Sequence, residues 1–225
     1  MPSPDARRPA PHPAVAPAPA RPAPRRAAQA RLLATLALAG AVAVTSACSG
    51  EDPFAIRASL ETTLDTLAVF PFSGPQPLLP SAIDLFGRSV VRPALRGGVV
   101  PNFDLVVDTD AQGRVLLYPA SLVASPPGGS PRTGFQVVSG SFDALETAPK
   151  SGYRFDTLQV AAVGQVIAIE GQGVSQSGIY CGTTSALHAK LVVDSVSRAT
   201  GAAHLRVRTN PNCGFRSLKA GLPDD

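Results

Sequence analysis

After residue 53 the sequence consists of short runs of strand-forming residues, and this limits the possible fold more than any other feature. The runs are rich in Val, Leu, Ile and Thr, and turn sequences such as Pro-Pro-Gly-Gly at 126–129 separate many of them. Apart from residues 59–68, no long helical period follows. We expect strands at residues 103–108, 114–118, 135–138, 160–163, 165–170, 187–196 and 202–209. The pattern predicts an all-β antiparallel β-sandwich, Ig-like or similar, over residues 54–225.

The start of this domain has two interpretations. Apolar residues recur at every second position from Phe54 to Leu60, which is typical of a strand. Leu60, Leu64 and Leu67 also share one face of a short helix that would begin at Ser59. The sequence leaves both possibilities open.

Two β-hairpins are predicted most directly. In the first, residues 103–118 fold back at 110–113, and in the second, residues 187–209 fold back at 198–201. The side chains expected on one face of the first hairpin are Phe103, Leu105, Val107, Val115 and Leu117.

The first 47 residues read as a leader and a signal peptide. Residues 1–31 contain nine prolines, ten alanines and six arginines, and we expect this stretch to be disordered. Residues 32–47 begin with thirteen uncharged, mostly apolar residues, fewer than the roughly 20 that span a bilayer, and end with small residues. The leader is either a true extension or the product of a start codon assigned too far upstream.

The sequence Val-Thr-Ser-Ala-Cys at 44–48 resembles the lipobox of bacterial lipoproteins, with Thr45 where Leu is usual. The resemblance implies that Cys48 receives a diacylglyceryl group and that the chain is cleaved just before it, leaving residues 48–53 as a lipidated tether. In the Gram-negative pattern of this class, Ser49 in place of Asp resembles an outer-membrane address. The expected location is therefore the cell envelope, lipid-anchored and facing the periplasm.

The net charge of +4 belongs to the leader. Six of the 20 Lys and Arg residues lie before residue 32, but only Asp5 of the 16 acidic residues does. From Ser49 onward 14 basic residues face 15 acidic ones. Without a basic stripe interleaved with aromatic residues, a nucleic-acid partner is not expected.

With Cys48 taken by lipid, Cys181 and Cys213 remain as an even pair in an oxidising compartment. They flank the second hairpin near its open end, a few residues out of register. We therefore predict a structural disulfide that needs slack in the flanking loops. The alternative, a redox pair, lacks the Cys-x-x-Cys spacing.

The turn at 108–113 matches the opening of a calcium loop, with Asp108 and Asp110 as oxygen ligands and Gly113 at the sixth position. The twelfth position, where an EF-hand needs Glu, is Pro119. A hairpin turn in which Asp side chains bind backbone amides is the favoured interpretation, with weak calcium binding as the alternative. No cofactor and no other metal site is predicted.

His188 and His204 are the histidines of the domain. A three-residue turn would place His204 opposite Asp194, and a four-residue turn would place it opposite Ser195. Either register leaves His188 roughly 20 Å away, too far to share a metal. An Asp194–His204 pair would be surface electrostatics rather than a catalytic dyad.

A serine hydrolase would need Ser175 or Ser177 together with His204. The Gly-x-Ser-x pattern at 173–176 lacks the glycine required after it, and Gly-Gln-Gly at 171–173 lacks the rest of a dinucleotide loop. Both read as a loop leading to Cys181. Without Trp, sugar stacking would fall to Tyr118, Tyr153 and Tyr180.

No catalytic residues are predicted, and the chain is expected to be a non-enzyme. We therefore expect a lipid-anchored cell-envelope protein with a structural, binding or assembly role. Membrane lipid would be its partner through Cys48, with an envelope protein as a further possible partner. A periplasmic hydrolase with an unidentified active site is the alternative.

Overall fold

The computed structural model describes residues 56–124, 131–174 and 180–224, which form two antiparallel β-sheets packed face to face. The strands of the larger sheet are β1 (Thr63–Val69), β6 (Arg132–Val138), β7 (Arg154–Phe155), β9 (Val166–Val174), β10 (Tyr180–Val196) and β11 (Ala203–Asn210). Their order across the sheet is β1-β11-β10-β9-β6-β7.

The smaller sheet has five strands and lies against one face of the larger sheet. Its members are β2 (Ala82–Asp84), β3 (Ser89–Val91), β4 (Leu105–Thr109), β5 (Val115–Pro119) and β8 (Gln159–Ala161). The order is β3-β2-β4-β5-β8, and a single helical turn, α1 (Ala120–Val123), follows β5. The predicted all-β antiparallel β-sandwich is confirmed.

Each of the seven runs predicted as strands lies in or overlaps a strand of the structure. Both predicted hairpins are confirmed, β4 with β5 and β10 with β11. Four strands were missed: β1, which is discussed below, and β2, β3 and β7, which have only two or three residues each. Such segments are too short to show a period of two, and only pairing with a neighbour makes them strands.

The start of the domain needs a correction. The possible helix over residues 59–68 is wrong, because β1 begins at Thr63 and pairs antiparallel with β11 along its whole length. The residues from Ile56 to Glu61 alternate in the sequence but form no strand. Successive strand side chains point to opposite faces, so Leu67 packs against the core while Leu64 stays half exposed. Pairing of a whole strand outweighs a weak helical spacing.

The main core fills the space between the sheets with alternate residues from both. The first hairpin contributes Leu105, Val107, Val115 and Leu117. Phe103, predicted on the same face, instead precedes β4 and packs with Val106 and Ala120 in a separate cluster on the outside of the smaller sheet. Complete burial of each large aliphatic side chain stabilises the fold by about 1.5–3 kcal/mol.

The other face of the larger sheet is covered in part by residues 141–148. Phe142 and Leu145 from this segment pack on Val166 and Val192. The buried Lys190 lies beneath them, and its Nζ donates hydrogen bonds to the carbonyl oxygens of Phe142 (2.7 Å) and Leu145 (2.8 Å). Burial lowers the pKa of this lysine, with the charge of Arg208 as a further cause. Lys190 therefore serves to hold the covering segment on the sheet.

Candidate functional site

The turn of the first hairpin is organised by Asp110. One carboxylate oxygen accepts hydrogen bonds from the backbone N–H groups of Arg114 (2.9 Å) and Gln112 (3.0 Å), and the other accepts from the Arg114 guanidinium (2.7 Å). These bonds, led by that of the Arg114 backbone, lower the pKa of the carboxyl. Gly113 has a φ of +73°, the left-handed conformation that the turn requires. The geometry is that of the favoured hairpin-turn interpretation.

Asp108 uses its carboxylate differently, although it was grouped with Asp110 as a calcium candidate. Its Oδ1 accepts hydrogen bonds from the Ser73 hydroxyl (2.9 Å) and from the Thr109 N–H (2.8 Å). Asp108 thus fastens the loop at 70–81 to the hairpin. Within the residues that the structure describes, no group of three or more His, Cys, Asp or Glu side chains is placed to hold a metal ion. Weak calcium binding at this turn stays a prediction.

The second hairpin has the register of the four-residue turn, with His204 opposite Ser195. Asp194 lies in a bulge of β10 and binds the Arg206 guanidinium with both oxygens, at 3.0 and 2.9 Å. The Asp194–His204 pair considered from the sequence is therefore not a register pair. The carboxylate is taken up by an arginine instead.

His188 lies at the opposite end of β10 and β11, paired in register with Asn210. Its ring is buried, with Nδ1 3.1 Å from the Phe215 carbonyl oxygen and Nε2 3.9 Å from Glu170 Oε2. Tyr153 lies beside it, with ring centroids 6.4 Å apart. Burial, followed by the charge of Glu170, raises the pKa of the tyrosine. The contact between His188 and the Phe215 carbonyl holds the C-terminal segment against the larger sheet.

The serines of the hydrolase alternative, Ser175 and Ser177, lie outside the described residues. The residues on either side of them, Val174 and Tyr180, pair with each other at the end of β10 far from His204. More than ten residues of β10 separate Tyr180 from the partner of His204. The hydrolase alternative stays a prediction, because both of its serines lie outside the described residues.

The predicted disulfide Cys181–Cys213 is formed, with its Cα atoms 5.3 Å apart. The register of β10 with β11 would leave the two cysteines four positions out of step. The difference is absorbed between Cys181 and Ala186, where β10 advances five residues while β9 advances one. The slack expected in the flanking loops thus lies inside strand β10.

Near the disulfide, Asn212 joins the first and last described segments, and Asn210 fastens two parts of the last segment to each other. The side-chain oxygen of Asn212 accepts hydrogen bonds from the N–H groups of Ser59 (2.9 Å) and Leu60 (3.1 Å), and its amide donates to the Leu60 carbonyl (2.7 Å). Asn210 donates to the Ser217 carbonyl (2.9 Å). We call this part of the sandwich, residues 59–62 and 210–222 with the disulfide, the disulfide end.

The opposite end, which we call the turn end, consists of residues 70–81, 92–96, 110–113, 162–165 and 197–202. Three depressions open on or beside it, with volumes of about 590, 510 and 260 Å³. The two larger ones fall within the roughly 300–1,000 Å³ typical of ligand sites. The turn end is therefore the part of the described molecule best shaped to receive a partner.

The largest of these three depressions, which we call the arginine groove, lies between the loops at 71–81 and 92–96. It is lined by Pro71, Phe72, Pro77, Leu79, Arg92 and Arg96, together with smaller residues. Large apolar side chains of these loops are exposed: Leu78 (74%), Leu95 (45%) and Phe72 (37%). Clustered exposed apolar residues mark interaction sites more often than scattered ones do.

The sequence analysis missed this groove. The available signal was the density of proline, with six prolines between residues 71 and 101. Because the two loops are separated by β2 and β3, nothing local in the sequence indicates that they face each other. The groove is a product of the tertiary fold.

Two buried carboxyls, Asp84 and Asp104, were also not anticipated. Asp104 accepts a hydrogen bond from the Leu85 N–H (2.7 Å), and Asp84 accepts one from the Gly87 N–H (2.8 Å). Burial, followed by the negative charge of Asp84, raises the pKa of Asp104 to about 7. In the sequence each of the two aspartates is flanked by large apolar residues, and this pattern could have indicated that they are buried. Their hydrogen bonds shape the connection between β2 and β3.

Comparison with family models, with curated proteins and with solved structures found no match to this chain. Among the described residues, no helix is long and apolar enough to span a bilayer.

Proposed function

We propose that this chain is a lipid-anchored cell-envelope protein that binds a partner through the turn end of its β-sandwich. The protein would be anchored by lipid on Cys48 and located at the outer membrane, facing the periplasm, as the lipobox and Ser49 suggest. The observation that carries the proposal is that two features lie at opposite ends of the domain. The first described residues are bound at the disulfide end, and the two larger depressions lie at or beside the turn end.

The length of the chain fits this arrangement. Seven residues lie between Cys48 and Ile56, so an extended tether of eight Cα–Cα steps reaches at most about 28 Å. From Ser59 and Leu60, clasped by Asn212, the chain enters β1 and runs roughly 20 Å to the turn end. A lipid at Cys48 would keep the disulfide end near the bilayer and leave the turn end accessible from the periplasm.

A binding role fits the turn end better than a catalytic one. The arginine groove is walled by Pro, Phe and Leu, with guanidinium groups as its charged side chains. Such a lining offers apolar contact and anion recognition, but no general base or nucleophile positioned by a second group. The groove is therefore suited to hold a partner rather than to transform a substrate.

The first experiment compares the wild-type protein with Cys48→Ala in a bacterial host, by intact mass and membrane fractionation. We expect a wild-type chain that begins at Cys48 with added acyl groups and sediments with the outer membrane. The variant should lack the acyl mass and leave the membrane, because without the Cys48 thiol it cannot receive the acyl chains that form the anchor. An unacylated, soluble wild-type protein would refute the anchor.

A further inference from the structure

We propose that the arginine groove binds an extended acidic segment of another polypeptide. Arg92 and Arg96 would pair with carboxylates of that segment, and its apolar side chains would pack on the proline-rich walls. The inference rests on the proposed binding role of the turn end, but it does not depend on the lipid anchor.

The charge of the groove is the first argument. Elsewhere in the described chain, four arginines form ion pairs with aspartates: Arg88, Arg114, Arg132 and Arg206. Arg92 and Arg96 are exposed, and their guanidinium groups have no hydrogen bond or ion pair among the described residues. Two unpaired guanidinium groups in one groove provide a site for carboxylates, which arginine binds with two parallel hydrogen bonds.

The walls are the second argument. Pro71, Phe72 and Leu79 line the same groove as the arginines, and the neighbouring Leu78 and Leu95 are exposed. Contact with a partner would remove this apolar surface from water, at about 25 cal/mol per Å². A ligand that satisfies the whole groove must therefore combine carboxylates with apolar groups.

The rigidity of the groove is the third argument. The loop at 71–81 is held by backbone hydrogen bonds from Phe72 N to Val107 O (2.9 Å) and from Leu79 N to Gln76 O (3.1 Å). The Ser73–Asp108 bond and the prolines restrict it further. This wall of the groove is therefore ordered before binding and loses little conformational entropy when an extended peptide packs against it.

The same lining disfavours the other polymers of the envelope. A glycan is recognised through many hydrogen bonds and stacked aromatic rings, but Gln76 and Ser81 are the uncharged polar side chains of this groove and Phe72 is its aromatic one. A polypeptide supplies the apolar side chains that proline and leucine can cover. We therefore assign the groove to a protein segment.

The test is a selection of displayed random peptides of about twelve residues on the purified mature protein, as the host produces it. We expect the selected peptides to be rich in Asp and Glu next to apolar residues. Their affinity should fall roughly tenfold in Arg92→Gln/Arg96→Gln and should weaken as NaCl rises from about 50 mM to about 500 mM. Fluorescence polarisation of a labelled selected peptide measures both effects.

Arg154→Gln is the matched control, because Arg154 is an exposed arginine of the edge strand β7, outside the turn end and the arginine groove. This variant should change the affinity less than about twofold. Circular dichroism of all variants checks that they are folded. Failure to enrich any peptide, enrichment of peptides without acidic residues, or equal binding by the double variant would each overturn the proposal. None of these results bears on the acylation of Cys48.

Discussion

The disulfide end and the turn end of the sandwich differ in the burial and hydrogen bonding of their polar groups. At the disulfide end, Asn210 and Asn212 are buried and hydrogen bonded, and Cys181 and Cys213 are joined covalently. At the turn end, charged and apolar side chains face solvent beside proline-rich loops. The polar groups named at the disulfide end bind one another within the domain, and the exposed side chains at the turn end are accessible to a partner.

This difference implies that residues of the disulfide end stabilise the fold, while residues of the turn end are available to contact a partner. A buried amide whose hydrogen bonds are all made stabilises the fold, and its removal leaves several partners unpaired. An exposed arginine contributes little to stability, but it is free to contact a partner. Substitutions at the two ends should therefore differ in kind as well as in size.

The largest expected effect is the loss of the disulfide. Cys181→Ser/Cys213→Ser should lower the free energy of unfolding by about 3–4 kcal/mol, since the bridge closes a loop with a sequence separation of 32 residues. Urea denaturation of the variant and the wild type measures the change. A stability equal to that of the wild type would mean that the asparagine clasp alone closes this end.

Asp104 provides the next effect, which depends on pH. Its folded-state pKa of about 7 is raised above the ordinary value, so its contribution is present below about pH 4 and is lost as the pH rises to about 7. We expect stability to fall by roughly 2–3 kcal/mol between about pH 5 and pH 8. Asp104→Asn should remove most of this slope in thermal denaturation. A slope that survives in the variant would assign it to other groups.

Asn212→Ala tests the clasp itself. The variant loses the acceptor for two backbone N–H groups and the donor to the Leu60 carbonyl, which should cost about 1–3 kcal/mol. Hydrogen exchange should show faster exchange at Ser59 and Leu60 than in the wild type. If exchange there is unchanged, the first segment is held by contacts other than Asn212.

The smallest effect on stability is expected at the turn end. Arg92→Gln/Arg96→Gln should change the free energy of unfolding by less than about 0.5 kcal/mol, because neither guanidinium pairs with a described residue. The same denaturation series measures it. A large loss of stability would show that these arginines are structural, and the contrast between the two ends would fail.

Sequence reasoning found most of the long strands but missed β1 and most of the short strands. The alternating residues of β4, β5, β10 and β11 are visible because each strand is five residues or longer and points alternate side chains into the main core. Strands of two or three residues, such as β7, have no period to read. The helix considered at 59–68 failed because pairing with β11 outweighs the spacing of three leucines.

The site shows the same division. Two cysteines flanking a hairpin were enough to predict a disulfide, but the four-residue irregularity of β10 that permits it has no local signal. Turn length left Asp194 and Ser195 as alternative partners of His204, and the four-residue turn closed by the bond from Ser197 N to Ala202 O selected Ser195. The arginine groove was missed because its two loops meet only after β2 and β3 have paired.

The sequence alone determined the all-β class, the two hairpins, the disulfide partners and the turn chemistry of Asp110. These features depend on neighbours within a few residues or on one pairing of adjacent strands, so composition and period suffice to reveal them. Only the tertiary structure decided the register of β10, the burial of Asp104 and the position of Arg92 and Arg96 in one groove. Each of these depends on which distant segments pack together, a choice made by the free energy of the whole fold rather than by any single stretch of chain.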